Sequence, residues 1–255
     1  MTCPEGKSDE RTRLLPVRIL NQGRYEAVTM LRNGEQLILA VFLPLMALVA
    51  LCVTPILDGY GTSRVNMATP GILALCAMST AFTGQGIATG FDRRYGVLRF
   101  LSTTPLGKAG LIAGKGIAVV AVLAIQVAVV SIVAAFFGWQ PAWTGIPVAL
   151  VSLLLGAAAF TALGLLVAGT ARPEATLAVT NLLWILLAAV GGIIIPAGNL
   201  PDIMQPFVEI LPSAALGEAM RSALIDAAFN IPAMLILLAW TVLGGLAAVR
   251  WFKWS

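Results

Sequence analysis

Charged side chains are scarce in this sequence, and histidine is absent from it. Asp, Glu, Lys and Arg together make up 11% of the 255 residues, whereas hydrophobic residues make up 59%. Because a soluble globular domain carries roughly 25% charged residues, this composition predicts a protein that lies in a membrane. The absence of histidine excludes a His-ligated haem or zinc site within this chain.

Cysteines are also few. Cys3, Cys52 and Cys76 are too dispersed for a disulfide framework, and no pair has the spacing of metal ligands, so we interpret them as free thiols. The first fifteen residues are charged and polar without an apolar core, and no signal peptide is expected. The net charge of +4 comes from basic residues in the gaps between apolar runs, which does not fit a nucleic-acid-binding face.

Long apolar runs are what the sequence does contain. A helix needs about 20 apolar residues to cross the roughly 30 Å hydrocarbon core of a bilayer. The predicted fold class is therefore an all-α integral membrane protein with six transmembrane helices, forming one domain over residues 36–255 after a tail and an interfacial helix over residues 1–35. The predicted spans cover residues 36–57, 67–91, 112–137, 146–170, 175–196 and 231–250.

The positions of Lys and Arg predict how these spans are oriented, because short loops rich in basic residues stay on the cytoplasmic side. With the N-terminus inside, only Arg64 and Arg221 of the sixteen basic residues fall outside. An even number of spans returns the C-terminus to the cytoplasm, where Trp251, Lys253 and Trp254 would anchor the chain at the interface. Arg, Ala, Gly and Val are abundant, which indicates a bacterium with a GC-rich genome. We therefore expect a multi-pass protein of the bacterial cytoplasmic membrane.

Two cytoplasmic segments outside the spans are patterned. Residues 17–34 mix apolar and basic residues as in an amphipathic helix that lies in the membrane interface, and a plain solvated leader is the alternative. Residues 92–101 place apolar side chains opposite basic ones, which predicts a short surface helix. Thr104 can cap the helix that becomes the third span, and Pro105 can open it. The alternative for this loop is that its arginines only fix the topology.

A third patterned segment, residues 197–230, joins the fifth and sixth predicted spans. Two helical stretches of about a dozen residues flank a break at Pro212, and each is too short to cross a membrane. We expect a helical hairpin that lies at the outer surface or dips back into the membrane. Gly191, Gly192 and Pro196 are expected to end the fifth span early.

No motif for catalysis or energy conversion is complete. The nearest approach to a P-loop, residues 110–116, has three residues between its glycines instead of four, and Gly116 stands where the Mg²⁺-binding Ser or Thr should be. The middles of the spans contain essentially no acidic or basic residue, which weakens both an ion-driven transporter and an intramembrane enzyme. The energy source is therefore expected on another subunit.

Two motifs in this chain resemble those of the type-2 ABC-transporter permease family, which includes daunorubicin-type resistance exporters and lipid or polysaccharide exporters. The first motif covers residues 91–101, 104–106 and 112–115. Its pattern is an acidic residue followed along the chain by Arg, Gly, Thr-Pro-Leu and Gly-Lys. The second comprises Leu200-Pro201, Leu211-Pro212 and residues 218–221. The resemblance covers nearly the whole chain in the number, order and orientation of its spans.

The resemblance implies a permease that works as a dimer with a second copy or a related permease, and that docks separate cytoplasmic ATP-binding subunits. ATP and Mg²⁺ would bind those subunits, and this chain would hold no cofactor, metal or catalytic site. The interfacial helix would correspond to the elbow helix of the family, and the loop over residues 92–111 would contain its coupling helix. The implied ATPase-coupling residues are Asp92, Arg93, Arg94, Tyr95, Gly96, Arg99, Thr104 and Pro105.

The resemblance also implies that the outer hairpin gates an exit and that the second and fifth spans line a path between two permeases. The implied gate residues are Pro201, Pro212, Glu218 and Arg221. The candidate residues of the path are Thr83, Gln85, Asn181 and Trp184. Polar residues at such depth more often join helices through hydrogen bonds than contact a substrate, and aromatic residues also face lipid.

We therefore predict the permease subunit of an ATP-binding-cassette exporter, with membrane lipid around it and no nucleic-acid partner. Tyr95-Gly96 and Leu98-Arg99 form a lean coupling segment, which favours a small amphipathic or lipid-like substrate over a polysaccharide. The alternative is a membrane anchor or assembly subunit of an envelope or respiratory complex, which would equally have six spans and a basic cytoplasmic face. A secondary transporter would need an intramembrane charge or a discontinuous helix pair, and a lipid-modifying enzyme would need a catalytic pair. The sequence shows neither.

Overall fold

The computed structural model of the chain describes residues 6–32, 34–59, 62–97 and 107–251. Within these ranges the regular structure is helical, with no strand, which confirms the predicted all-α class. The helices are α1 (Gly6–Arg32), α2 (Gly34–Val53), α3 (Arg64–Met78), α4 (Gln85–Arg94), α5 (Gly107–Phe136), α6 (Ile146–Thr170), α7 (Pro173–Ala189), α8 (Gln205–Glu209), α9 (Pro212–Leu224) and α10 (Ile231–Trp251).

Four helical stretches in the described residues are long and apolar enough to cross a membrane. They are Arg64–Arg94, Ile112–Phe136, Trp143–Thr170 and Ile231–Trp251. They coincide with the second, third, fourth and sixth predicted spans. The first and fifth predicted spans correspond to shorter apolar helical stretches, Ala40–Val53 and Glu174–Ala189.

The first of the long stretches, Arg64–Arg94, is the centre of the bundle. Of its 18 most apolar consecutive residues, 89% are buried, whereas the corresponding share in the other three stretches is 22% to 50%. Helices α3 and α4 are joined within it by a π-helical segment, Ser79–Gly84. Gly164 of α6 approaches this segment so closely that a Cβ atom at that position would lie 2.7 Å from the carbonyl oxygen of Phe82.

The helix predicted over the fifth span ends earlier than expected, because α7 ends at Ala189 instead of residue 196. Gly192 has a φ of 72°, in the left-handed region that glycine adopts without steric cost. The chain therefore leaves the helix at the glycine pair, as that pair predicts, and residues 191–195 follow an irregular path. Gly191, Gly192 and Ile193 are buried nonetheless.

The remaining helices pack around this centre. Helix α1 begins at Gly6, well before the predicted start of the interfacial helix, and packs against α5. Helix α10 packs along α6, and α9 contacts α3, α6 and α10. Helix α8 has only five residues, whereas most of α9 is buried. The predicted outer hairpin is therefore asymmetric, and its second helix enters the bundle.

Candidate coupling and gating sites at the two ends of the bundle

The predicted coupling residues begin in the last turn of α4, which ends at Arg94. Tyr95 caps the helix, and Gly96 turns the chain with a φ of 74°. The prediction of a separate surface helix starting at residue 92 is therefore wrong for residues 92–94, which form the last turn of α4. The other predicted coupling residues, Arg99, Thr104 and Pro105, lie outside the part of the chain that the structure describes.

Arg93 turns toward the interior of the molecule. Its Nη1 donates hydrogen bonds to the carbonyl oxygens of Ala168, Gly169 and Ala171, at 3.1, 3.3 and 2.9 Å. The last carbonyls of a helix have no partner within it and carry the negative end of the helix dipole. Arg93 thus fastens the end of α4 to the end of α6. We name this side of the bundle the Arg93 end.

Asp92 also forms an internal contact. Its Oδ2 lies 3.0 Å from Nζ of Lys115 on α5, and the same ammonium lies 3.4 Å from a carboxylate oxygen of Glu26 on α1. The side chain of Lys115 is only 1% exposed. Two acids therefore surround the charge of Lys115.

The α4 tip is the name we give to the exposed surface formed by Phe91, Arg94, Tyr95, Gly96 and Val97. The rings of Phe91 and Tyr95 are stacked, with centroids 6.3 Å apart and planes 12° apart, and Tyr95 is 73% exposed. Within the described residues, Arg94 makes no hydrogen bond or ion pair of the kind that Arg93 and Asp92 make. Among the predicted coupling residues that the structure describes, those of the α4 tip can meet a partner without breaking the fold.

The opposite side of the bundle, the Arg221 end, is built around another buried arginine. Arg221 is 4% exposed, and its guanidinium donates to the carbonyl oxygens of Gly192 and Ile193, each at 3.0 Å, and to Glu218 at 2.8 Å. The Ser213 hydroxyl donates to the carbonyl oxygen of Gly191 at 2.7 Å. Helix α9 therefore supplies donors to the irregular segment that follows α7.

The predicted gate residues at this end fall into different surroundings. Pro212 is the buried first residue of α9, whereas Pro201 is exposed in the loop before α8. Glu218 is half-exposed and, besides pairing with Arg221, lines a cavity of about 440 Å³ together with Glu209. The other residues that line this cavity are Ala197, Gly198, Ala214, Ala215, Asn230, Pro232, Ala233 and Ile236.

The four candidate residues of the path do not share one surface. Trp184 donates from Nε1 to the Ser79 hydroxyl at 2.9 Å, which joins α7 to the π-helical segment that includes Thr83. Gln85 instead faces α1, where its amide nitrogen lies 3.3 Å from the sulfur of Met30. Asn181 is exposed on α7. Its neighbours on this surface are apolar and are also exposed, among them Leu177, Leu182, Ile185 and Leu186.

The two basic residues predicted on the outer side are both paired with acids. Arg64 donates from Nη2 to Asp58 at 2.7 Å, and Arg221 pairs with Glu218. The hydrogen bond from Arg64 lowers the pKa of the Asp58 carboxyl below its usual value. The charges of the two arginines are therefore compensated locally.

Sequence reasoning missed Glu26, which completes the ion cluster around Lys115. A signal for it exists, since Glu26 is the one acid in the otherwise basic stretch over residues 17–34. A lone carboxylate on a basic amphipathic helix indicates a partner elsewhere in the fold. Sequence reasoning also could not show that Arg93 and Arg94, adjacent in the chain, point to different surroundings.

Comparison with known protein families gives one match that covers most of the chain. The family described as ABC-2 type transporter matches residues 23–225, from the middle of α1 to the residue after α9. No curated protein matches the sequence.

Proposed function

Because the chain belongs to the ABC-2 type transporter family, we propose that it is the permease subunit of an ATP-binding-cassette exporter. It would move a small amphipathic or lipid-like substrate outward across a bacterial cytoplasmic membrane, with both termini in the cytoplasm. The observation that carries the proposal is the α4 tip, an exposed basic and aromatic surface at the end of the central helix of the bundle.

Six spans are part of this proposal, with α2 as the first span and α7 as the fifth. Helix α7 has only 17 residues, so residues 190–196 would complete its crossing. Irregular backbone is tolerated at membrane depth only where protein satisfies its polar groups. Ser213 and Arg221 supply donors to the carbonyls of this segment, which supports its position within a span.

The α4 tip would dock a separately encoded cytoplasmic subunit that binds ATP and Mg²⁺. Arg94 would contact an acidic group on that subunit, and the stacked rings of Phe91 and Tyr95 would fill an apolar depression in it. Aromatic residues and arginine are the types that dominate the energetics of protein interfaces. Motion of the α4 tip would reach the centre of the bundle directly, because α3 and α4 form one continuous helical stretch.

A second copy of the permease, or a related permease, would cover the exposed face of α7. Asn181 lies on this face among exposed apolar side chains. An amide that faces hydrocarbon lacks hydrogen-bond partners, whereas an amide between two helices finds them. The uncovered amide therefore supports an interface at α7, and the path for the substrate would run between the two copies.

The test is co-expression of the chain with a candidate ATP-binding subunit, for which the product of a neighbouring reading frame is the natural choice. The variant Arg94→Glu/Tyr95→Ala alters the α4 tip only, and Arg250→Glu reverses an exposed charge on α10 as a matched control. We expect the wild type and the control to co-purify with the ATPase and to support its turnover in lipid, and the α4-tip variant to lose both.

The anchor or assembly-subunit alternative predicts a different result. If no ATPase co-purifies with the wild type, or if the α4-tip variant binds and supports turnover as the wild type does, the permease proposal loses its support. Thermal unfolding of each purified variant shows whether lost binding reflects a damaged fold, because neither altered side chain packs inside the bundle.

A further inference from the structure

Lys115 carries a charge in a place where an isolated charge is costly. Its side chain is 1% exposed, and removing an ammonium group from water is unfavourable unless other groups compensate for the lost hydration. Asp92 lies 3.0 Å from its Nζ and Glu26 lies 3.4 Å from it, and their side chains keep 28% and 14% exposure. The ammonium is thus the buried member of a three-residue ion cluster.

Each member of this cluster comes from a different helix. Glu26 belongs to α1, Asp92 to the last turn of α4, and Lys115 to α5. One side chain therefore bridges the N-terminal helix, the end of the central helical stretch and the beginning of the next long helix. Asp92 also directly precedes Arg93 and Arg94, so the cluster fixes the base of the α4 tip.

Gln85 of α4 also reaches α1, through a weaker contact. Its amide nitrogen lies 3.3 Å from the sulfur of Met30, and a thioether is a weak acceptor. The Oε1 atom of Gln85 and the Oγ1 atom of Thr89 are buried without a hydrogen-bond partner in the described structure. These polar atoms of α4 therefore form no hydrogen bond that would join α4 to α1 in the described structure.

The contact between α1 and α5 is close but built on glycine. A Cβ atom at Gly23 would lie 2.7 Å from side-chain atoms of Ile117, and a Cβ atom at Gly114 would lie 2.8 Å from Cγ of Gln22. The side chains of Ile117 and Gln22 therefore pack into the space that the two glycines leave open. Lys115 adds a directional, charged contact to this packing.

We propose that Lys115 is a positioning residue that holds α1, the base of the α4 tip and α5 as one mechanical unit. A displacement of the α4 tip is then transmitted to the N-terminal helix as well as to the central helix. The link between the three helices does not depend on the proposed function. Only one part rests on the proposed function, namely that a bound ATPase causes the displacement. Loss of the ammonium leaves Glu26 and Asp92 facing each other, and their repulsion separates α1 from α4.

The experiment uses the full chain with Cys3, Cys52 and Cys76 replaced by serine. A reporter pair, Gln22→Cys/Gly114→Cys, joins α1 to α5. A Cβ atom at position 114 would lie 3.2 Å from that of residue 22, so a shift of a few tenths of an ångström reaches the roughly 3.5–4.5 Å of disulfides. The disulfide yield in membranes is measured for Lys115→Met, which removes the charge at similar length, and for Lys115→Arg, which keeps it. We expect the yield to fall severalfold in Lys115→Met and to be restored in Lys115→Arg.

The two carboxylates are tested separately with the same reporter. Glu26→Gln weakens the hold on α1 and is expected to lower the disulfide yield. Asp92→Asn leaves the pair of Glu26 and Lys115 in place, so we expect the yield to stay near that of the wild type while ATPase stimulation in the co-purified complex falls. Equal yields for the wild type, Lys115→Met and Glu26→Gln would overturn the proposal.

A variant that fails to fold does not end the test. The triple variant Glu26→Gln/Asp92→Asn/Lys115→Met leaves no uncompensated charge, and neutral replacement of a whole buried ion cluster is usually tolerated. We expect it to fold and to cross-link poorly, and a full disulfide yield would show that apolar packing alone positions α1. If no ATPase co-purifies with any variant, the proposed function fails, while the disulfide yields still decide the role of Lys115.

Discussion

Arg93 and Arg94 are adjacent basic residues with opposite surroundings, and this difference gives a prediction. Arg93→Met removes three hydrogen bonds to the carbonyls at the end of α6. Hydrogen bonds to charged groups contribute about 1.5–3 kcal/mol each and are not additive, so we expect Arg93→Met to lower the free energy of unfolding by about 2–3 kcal/mol. Arg94→Met, at an exposed position, should change it little. Thermal unfolding of the two purified variants checks this, and similar midpoints would contradict it.

Arg221 gives a second prediction, at the other end of the bundle. Its guanidinium donates to the carbonyls of Gly192 and Ile193 and is almost fully buried. Arg221→Met leaves these carbonyls without a donor, and each unsatisfied buried group costs about 1–3 kcal/mol. Glu218→Gln keeps the guanidinium in place and removes only a half-exposed charge, so it should cost much less. Chemical denaturation should rank Arg221→Met well below Glu218→Gln, and equal stabilities would mean that the carbonyls are satisfied in another way.

At the residue scale, the sequence identifies charged positions but not the direction in which each one points. Arg93, Asp92 and Arg221 were predicted to act at an interface or a gate, yet their side chains satisfy carbonyls and a buried ammonium. Arg93 satisfies carbonyls at the end of α6, which have no partner within the helix. Arg221 does the same for the irregular segment after α7, and Asp92 compensates the charge of Lys115. Whether these residues also act in transport stays a prediction.

At the scale of elements, close contacts between helices depend on glycines in α6 and α4. A Cβ atom at Gly164 would lie 2.7 Å from the carbonyl oxygen of Phe82, whereas one at Gly245 of α10 would meet nothing within 4 Å. Gly164→Ala must therefore push α6 away from the π-helical segment, and we expect lower stability despite the better helix propensity of alanine. Gly245→Ala is the matched control, expected to stabilise by up to about 1 kcal/mol.

The measurement for this pair is thermal unfolding of both variants and the wild type. All samples contain the same detergent, the same lipid and a reducing agent. A clear drop for Gly164→Ala together with a small rise for Gly245→Ala supports the close approach of α6 to the π-helical segment. If both variants gain stability, the contact at Phe82 is not as tight as the structure has it.

Elements were predicted well where hydropathy decides them and less well where packing does. Runs of apolar residues located the four long stretches, and the glycine pair at Gly191 and Gly192 located the end of α7. The path of residues 191–195 could not be predicted, because it depends on donors from α9, which is distant along the chain. Likewise, no hydropathy pattern shows that α9 is enclosed by α3, α6 and α10.

For the whole molecule, the exposed face of α7 leads to the last prediction. In the proposed assembly this face meets a second copy, and Asn181 lies near its middle. On a background without native cysteines, Asn181→Cys should then form a cross-linked dimer in membranes treated with a short bifunctional thiol reagent. Val242→Cys is the matched control, because Val242 is 50% exposed near the middle of α10, a helix that the proposed interface does not use.

The outcome separates three assemblies. Efficient cross-linking at position 181 and little at position 242 supports a symmetric dimer through α7. The reverse pattern would move the interface to α10 and leave the amide of Asn181 to lipid or to another partner. If neither variant cross-links alone but Asn181→Cys is captured when a related permease carrying a cysteine is co-expressed, the two halves of the exporter are different chains, and the path would be lined by unlike surfaces.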